Sequence, residues 1–231
     1  LPEQQHAIGL LARAATPAAD AQLARLGDAL VAGTSAAGLK LDVLEALRAR
    51  SAANPELARR VAAYAKSPAA AAQPELLAGG NIARGRDIVV NHLAANCMAC
   101  HAIEASGGSE VGPNLRTIGA QKDPAYLLEA LIQPSAAIAT GYGIVNLTLK
   151  DRTEVTGTLA RETPAAVTVR LFDGKNRTIP RADIAAQTPP VSIMPSMNGI
   201  LQPREIRDVV AYLASLKGGS RPRAAKSEGQ E

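Results

Sequence analysis

Apolar positions recur every three to four residues through the first 66 residues of the chain. Ile8 and Leu11, then Leu23, Leu26 and Leu30, then Leu41, Leu44 and Leu47 form three stripes with the spacing of side chains that share one face of an α-helix. Pro17, Gly33, Asn54-Pro55 and Pro68 punctuate them, where helices are expected to start or stop. The pattern predicts four short helices near 4–14, 18–32, 37–50 and 55–66. Proline, alanine and glycine in "SPAAAAQPELLAGG" (67–80) mark a boundary, after which a helix is expected near 82–94 and another near 123–132, closed by Pro134. The period then shortens to two: β-branched residues alternate through 142–184, with Asp151-Arg152, Glu162-Thr163-Pro164 and Asp173-Gly174 at the turns, predicting four or five short strands. Pro203 opens a last helix whose apolar face is Ile206, Val209, Val210, Leu213 and Leu216, ended by Gly218-Gly219.

The chain is therefore expected to be mainly α with a small β insertion. It divides into a helical unit over 1–72, a second unit over 79–219 that contains the β-rich insertion at about 142–188, and a disordered tail over 220–231. Within the first unit, residues 6–14 match 41–49 at an offset of 35, and Leu23-Ala-Arg falls on Leu57-Ala-Arg at an offset of 34. Two helical hairpins at that period resemble HEAT repeats, which stack supersecondary units so that each buries its neighbour's apolar face.

Composition sharpens one point. Among 231 residues, 47% are hydrophobic, yet there is no Trp, a single Phe and four Tyr, so a sizeable core lacks its usual large fillers and a bulky apolar ligand could take their place. No run of apolar residues reaches the roughly 18–20 needed to cross a bilayer. Leu1 is not followed by a basic segment and a hydrophobic one, so the chain reads as a mature or truncated piece. The net charge of +4 comes from dispersed Lys and Arg; this fits a solvated mixed surface, is compatible with an acidic protein partner, and gives no indication of nucleic-acid binding.

The chemistry is concentrated in "NCMACH", residues 96–101, which holds both cysteines and one of three histidines. A structural zinc site needs four protein ligands, and the only other nitrogen or sulfur donors considered are His6, His92, Met194 and Met197. A thioredoxin-like dithiol is expected after a strand in a parallel α/β pattern, whereas these cysteines follow a helix. A disulfide across two residues closes too small a loop to staple much and leaves His101 unexplained. Covalent attachment of haem c accounts for all three residues: Cys97 and Cys100 add to the two porphyrin vinyl groups, and His101 is delivered to the iron. For the second axial place, Met194 in "SIMPSMNG" stands on an irregular segment ahead of the last helix, where a soft thioether can cross the ring. Met197, His6, His92 and an open position are the alternatives, while Met98 between the two tethers points away.

These segments together, "GGNIARGRDIVVNHLAANCMACHAI", "VGPNLRTIG", "MPSM" and "LQPREIRDVVAYLASL", resemble a class I c-type cytochrome over about 79–217. The resemblance implies that the first helix of that unit crosses the last at Gly85 against Tyr212. It also implies that the Pro113 carbonyl accepts a hydrogen bond from His101, and so orients it as a ligand. With "YLLEALIQPSAAIATGY", "GTLARETPAAVTV", "DGKNRTIPRADI" and "SIMP", the unit is similar to the haem-binding domains of planctomycetes and verrucomicrobia, which follow helical repeats and end large predicted dehydrogenases. The strand pattern itself resembles small SH3- or Sm-like barrels, either covering a haem edge or docking a partner. Val111, Leu115, Ile118, Leu127, Leu128, Ile193 and Val209 are the apolar residues expected around the ring. The expected function is electron transfer without catalytic residues, between a redox protein donor and acceptor, among them a dehydrogenase partner or fused domain. Haem c attachment implies a periplasmic or other extracytoplasmic location. An open or labile sixth site serving peroxidatic chemistry or gas sensing, and a binding module with structural haem, are the alternatives.

Overall fold

The computed structural model describes residues 1–103 and 107–218; the tail expected at 220–231 lies outside them. Four helices come first, α1 (Pro2–Ala14), α2 (Pro17–Val31), α3 (Lys40–Ser51) and α4 (Pro55–Ala65), close to the expected bounds. The punctuation explains them: Thr16 and Asn54 cap α2 and α4 by accepting from Ala19 N and from Glu56 N and Leu57 N, and each is followed by a proline, which suits a position whose N–H has no helical partner. Ile8, Leu23, Leu30, Val43, Leu44, Leu47 and Leu57 bury against one another. Polar ties repeat between helices. Arg50 Nε and Nη2 donate to Asp20 at 2.9 and 3.0 Å, and Arg60 grips Asp28 likewise at 2.7 and 3.0 Å. Arg50, with Asn54, holds the Asp20 carboxyl below its ordinary range.

A short helix α5 (Pro68–Ala71) leads to α6 (Ile82–Asn91), α7 (Ile118–Gln121), α8 (Pro124–Ile132) and, after the sheet, α9 (Pro203–Ser215). The helix expected to reach residue 94 stops at Asn91: the backbone of His92 is already extended, and its Nδ1 accepts from Ala95 N at 3.1 Å. Leu127, Leu128, Leu131, Ile206, Val209, Val210 and Leu213 share a second core. Leu41 of α3 belongs to this core and not to that of the other N-terminal helices.

Three glycines set how closely chain segments approach α9. A Cβ added at Gly85 would overlap the Asp208 carbonyl and lie 2.8 Å from Tyr212 Cβ. At Gly80 it would overlap the Arg207 carbonyl, and at Gly119 the Ala214 carbonyl. Backbone therefore lies against backbone along α9, and the Gly85–Tyr212 crossing is where the cytochrome resemblance implied it.

The β unit comprises β1 (Ile144–Leu149), β2 (Glu154–Glu162), β3 (Ala166–Arg170), β4 (Asn176–Pro180) and β5 (Ile184–Gln187). They form one antiparallel sheet of order β4-β3-β2-β1-β5, a meander whose fifth strand returns beside the first, with β4 and β5 at its edges. Alternate residues point inward, as pleating demands, and Val145, Leu147, Val155, Val167, Val169 and Ile179 make a third, separate core. At its base Ile144 and Val191 exchange backbone hydrogen bonds of 2.8 and 2.9 Å. Among the described residues no helix is long and apolar enough to cross a membrane.

The N-terminal helical unit is pinned to the second unit by polar contacts. Gln5 Nε2 donates to the carbonyls of both Gly38 and Gly79 at 2.9 Å. Asp42 on α3, 2% exposed, accepts from Arg207 Nη1 of α9 at 2.8 Å. Arg204 Nη1 lies 2.8 Å from the other Asp42 oxygen, an ion-pair contact without hydrogen-bond alignment, and its Nε pairs with Glu45. Removing one partner from a buried pair strands the other charge in low dielectric.

Two outcomes follow. Gly85→Ala should destabilise the protein by at least about 2 kcal/mol, because a backbone oxygen cannot move aside for the new methyl. Asp42→Ala should cost roughly 3 kcal/mol by leaving Arg207 uncompensated, and adding Arg207→Met should restore much of the loss. Urea unfolding checks both, and wild-type midpoints would refute them.

Candidate functional site

After α6 the chain turns tightly. Asn96 adopts a left-handed conformation (φ 41°), and Cys97–Ala99 make a single 3-10 turn in which Cys100 N and His101 N both donate to Cys97 O, at 3.2 and 3.0 Å. The two thiols therefore sit at i and i+3 of one turn, unbonded to each other and partly buried. Cys97 and Met98 pack against the core that contains α9. Burial pushes the Cys97 thiol up from its ordinary range, since a low-dielectric surrounding disfavours the thiolate.

The glycine-rich loop folds back over this turn. Gly112 N donates to Cys100 O at 2.6 Å and Leu115 N to Ala102 O at 2.9 Å. Gly108 has φ +98°, and a Cβ there would overlap His101 O, so a residue without a side chain is required on both counts. A Cβ at Gly112 would come within 2.6 Å of His101 Cε1; that glycine lies flush against the imidazole.

Pro113 O stands 2.8 Å from His101 Nδ1. A carbonyl can only accept, so Nδ1 carries the proton, and of the two neutral tautomers the contact selects the one with its lone pair on Nε2. The contact fixes both the tautomer and the ring plane.

The segment around Met194 is laid across the end of α8. Ser192 N donates to Ser135 Oγ at 3.1 Å, Met194 N to Ser192 Oγ at 3.1 Å, Ser196 Oγ to Ile132 O at 2.8 Å and Met197 N to Leu131 O at 2.8 Å. The two methionines differ in environment: Met197 is buried in the core, whereas Met194 is only partly buried at its margin, against the same cluster as Cys97, Leu115 and Ile118. His92 is held by Ala95 N, and His6 is exposed on α1.

Of the apolar residues expected around a ring, Leu127, Leu128 and Val209 are core, and Leu115 and Ile118 are half-buried. Val111 and Ile193 are instead 54% and 58% exposed, so neither fills a core. Both stand on loops, Val111 next to Gly112 and Ile193 next to Met194, where no helix or strand buries them. Ser135 and Ser192, which position the Met194 segment, and Gly108 and Gly112, which shape the His101 pocket, were not singled out from sequence. The only signal for the glycines was their loop's composition.

A structural zinc site requires four converging donors; among the described residues no group of three or more His, Cys, Asp or Glu converges. A groove between α1, α6 and α9 is lined by neither thiol nor thioether and is separate from this chemistry. Neither a scan against protein-family models nor a search of curated proteins found a match to the chain.

The raised Cys97 thiol predicts slow reaction at neutral pH. In Cys100→Ser protein free of haem, the rate of Cys97 alkylation by iodoacetamide should reach half its maximum at a higher pH than that of N-acetylcysteine, and the difference should vanish in urea. Coincident profiles in the folded protein would contradict the burial of this thiol.

Proposed function

We propose that residues 79–218 are an electron-transfer unit of class I cytochrome c type carrying one covalent haem c, and that HEAT-like helical repeats precede it. The observation that carries this reading is the Pro113 carbonyl on His101 Nδ1, beside two free thiols on the same turn. The thiols are spaced for two thioether bonds to one porphyrin, and the imidazole presents Nε2 in a fixed plane. The donor set therefore fits the group. When bound, haem supplies a one-electron Fe(III)/Fe(II) couple.

Each residue then has a defined task. Cys97 and Cys100 hold the group in place. Pro113 O, by accepting from Nδ1, makes His101 a stronger donor and prevents ring rotation. Gly112 leaves room for that ring. Met194 would offer a thioether, a soft ligand that would raise the potential relative to a second imidazole. Leu115 and Ile118 exclude water from the surroundings, while exposed Val111 and Ile193 give apolar surface that a ring edge or a redox partner covers. No acid, base or nucleophile is needed, so no residue is catalytic.

The partners in this reading are a donor and an acceptor protein outside the cytoplasm, one of them a dehydrogenase or a domain of one. A second reading, with a labile sixth position, draws on the partial exposure of Met194 and the loop that carries it.

Protein produced with a haem-attachment system should retain its haem on denaturation and give a c-type pyridine haemochrome, lost in Cys97→Ala/Cys100→Ala. The oxidised wild type should be low-spin, and Met194→Ala should turn it high-spin. An unchanged Met194→Ala spectrum would remove Met194 as ligand, and absence of covalent haem would remove the proposal. Rapid electron exchange with a small soluble cytochrome or copper protein is expected; a low-spin but inert protein would point to structural haem.

A further inference from the structure

A groove of about 820 Å³ runs between α1, the start of α6 and the start of α9. Its charged walls are Arg13, Arg84, Arg204 and Arg207 against Asp42 and Asp208. Both aspartates are engaged. Asp42 is held by Arg207 and Arg204, and Asp208 Oδ1 accepts from Asn81 N at 2.6 Å. Arg13 and Arg84 are exposed and make no ion pair among the described residues. Even with Glu45 counted behind Arg204, cation remains in excess.

Two further observations point to an anionic occupant. Arg207 is 4% exposed, yet its Nε has no hydrogen-bond partner. That Nε is enclosed by protein, so Arg207 gives the floor of the groove a buried positive charge rather than a contact, and an anion above it would be attracted through a low-dielectric wall. Secondly, α6 and α9 both begin at the groove, and each carries an arginine, Arg84 and Arg204, in its first turn. A cation at a helix N-terminus is disfavoured by the aligned peptide dipoles. Arg204 is already offset by Asp42 and Glu45, so an anion between the two helix starts would offset Arg84.

We propose that this groove binds a small organic anion carrying at least two acidic groups, carboxylate or phosphate, clasped by Arg13 and Arg84 over a floor formed by Arg204 and Arg207. The volume lies in the range of small-molecule sites and exceeds the needs of one inorganic ion. The cations come from both the repeat unit and the cytochrome-like unit, so the ligand spans them. Nothing in this site depends on haem.

Calorimetric titration of the full chain with citrate and with inorganic pyrophosphate tests it. Saturable binding of at least one probe, at one site per chain, is expected, and the tighter probe assigns the acidic group. Arg13→Gln and Arg84→Gln should each weaken binding about five- to tenfold, without change in the thermal midpoint because both side chains are exposed and unpaired. Arg161→Gln, which removes the same charge from β2, should leave affinity unchanged. The proposal is overturned if neither probe gives saturable heat, or if Arg161→Gln weakens binding as much as Arg84→Gln, which would mark diffuse surface charge.

Discussion

The structure depends on how closely other backbone can approach α9. Gly80, Gly85 and Gly119 each lie against a carbonyl of that helix, so the entry to α6, α6 itself and α7 are held at a separation no other residue permits. Dispersion contacts fall off steeply over fractions of an ångström, and such close packing lets Tyr212, Val209 and Leu213 fill the core in a chain with few large side chains. The same helix carries Arg204 and Arg207 toward α3. One element thus sets the geometry of the core, the interface and the groove.

The site around His101 follows the same logic on a smaller scale. Its ring is determined by a backbone carbonyl on one atom and by a glycine against another edge, both from the loop that returns over the cysteine turn. No second ionisable side chain is required to orient it. Electrostatics instead governs the junction between units, where buried Asp42 meets buried Arg207 and half-exposed Arg204. A buried arrangement of this type tends to specify geometry more than it adds stability.

Local order was legible in the sequence wherever a residue type acts on its own neighbourhood. Pro17, Asn54-Pro55 and Pro203 start helices through missing N–H groups and side-chain caps, and the period-two pattern after residue 142 gave a five-stranded sheet. Gly85 and Pro113 were reached through the family resemblance. What was hidden depends on residues distant in sequence. Nothing local marks Asp42 as the partner of an arginine 165 positions later, or Leu41 as part of the other unit's core. Gly80 and Gly119 are indistinguishable from loop glycines until α9 is placed beside them. The exposure of Val111 and Ile193 was hidden for a different reason: a loop with no element above it leaves an apolar side chain in solvent, and the local pattern does not show what lies above.

The bridge between Ile144 and Val191 has a consequence for chain connectivity. It brings the two ends of a 48-residue excursion (144–191) to adjacent positions, and the excursion has its own core. For the rest of the molecule, the route from α8 to Met194 is then no longer than a short loop, since the entropy of closure has been met within the sheet. A segment of this type can lengthen, shorten or be exchanged for another without moving Met194 relative to the helices, as is usual for domains inserted where their termini meet. The β unit is thus free to vary in sequence while the geometry at its base stays fixed.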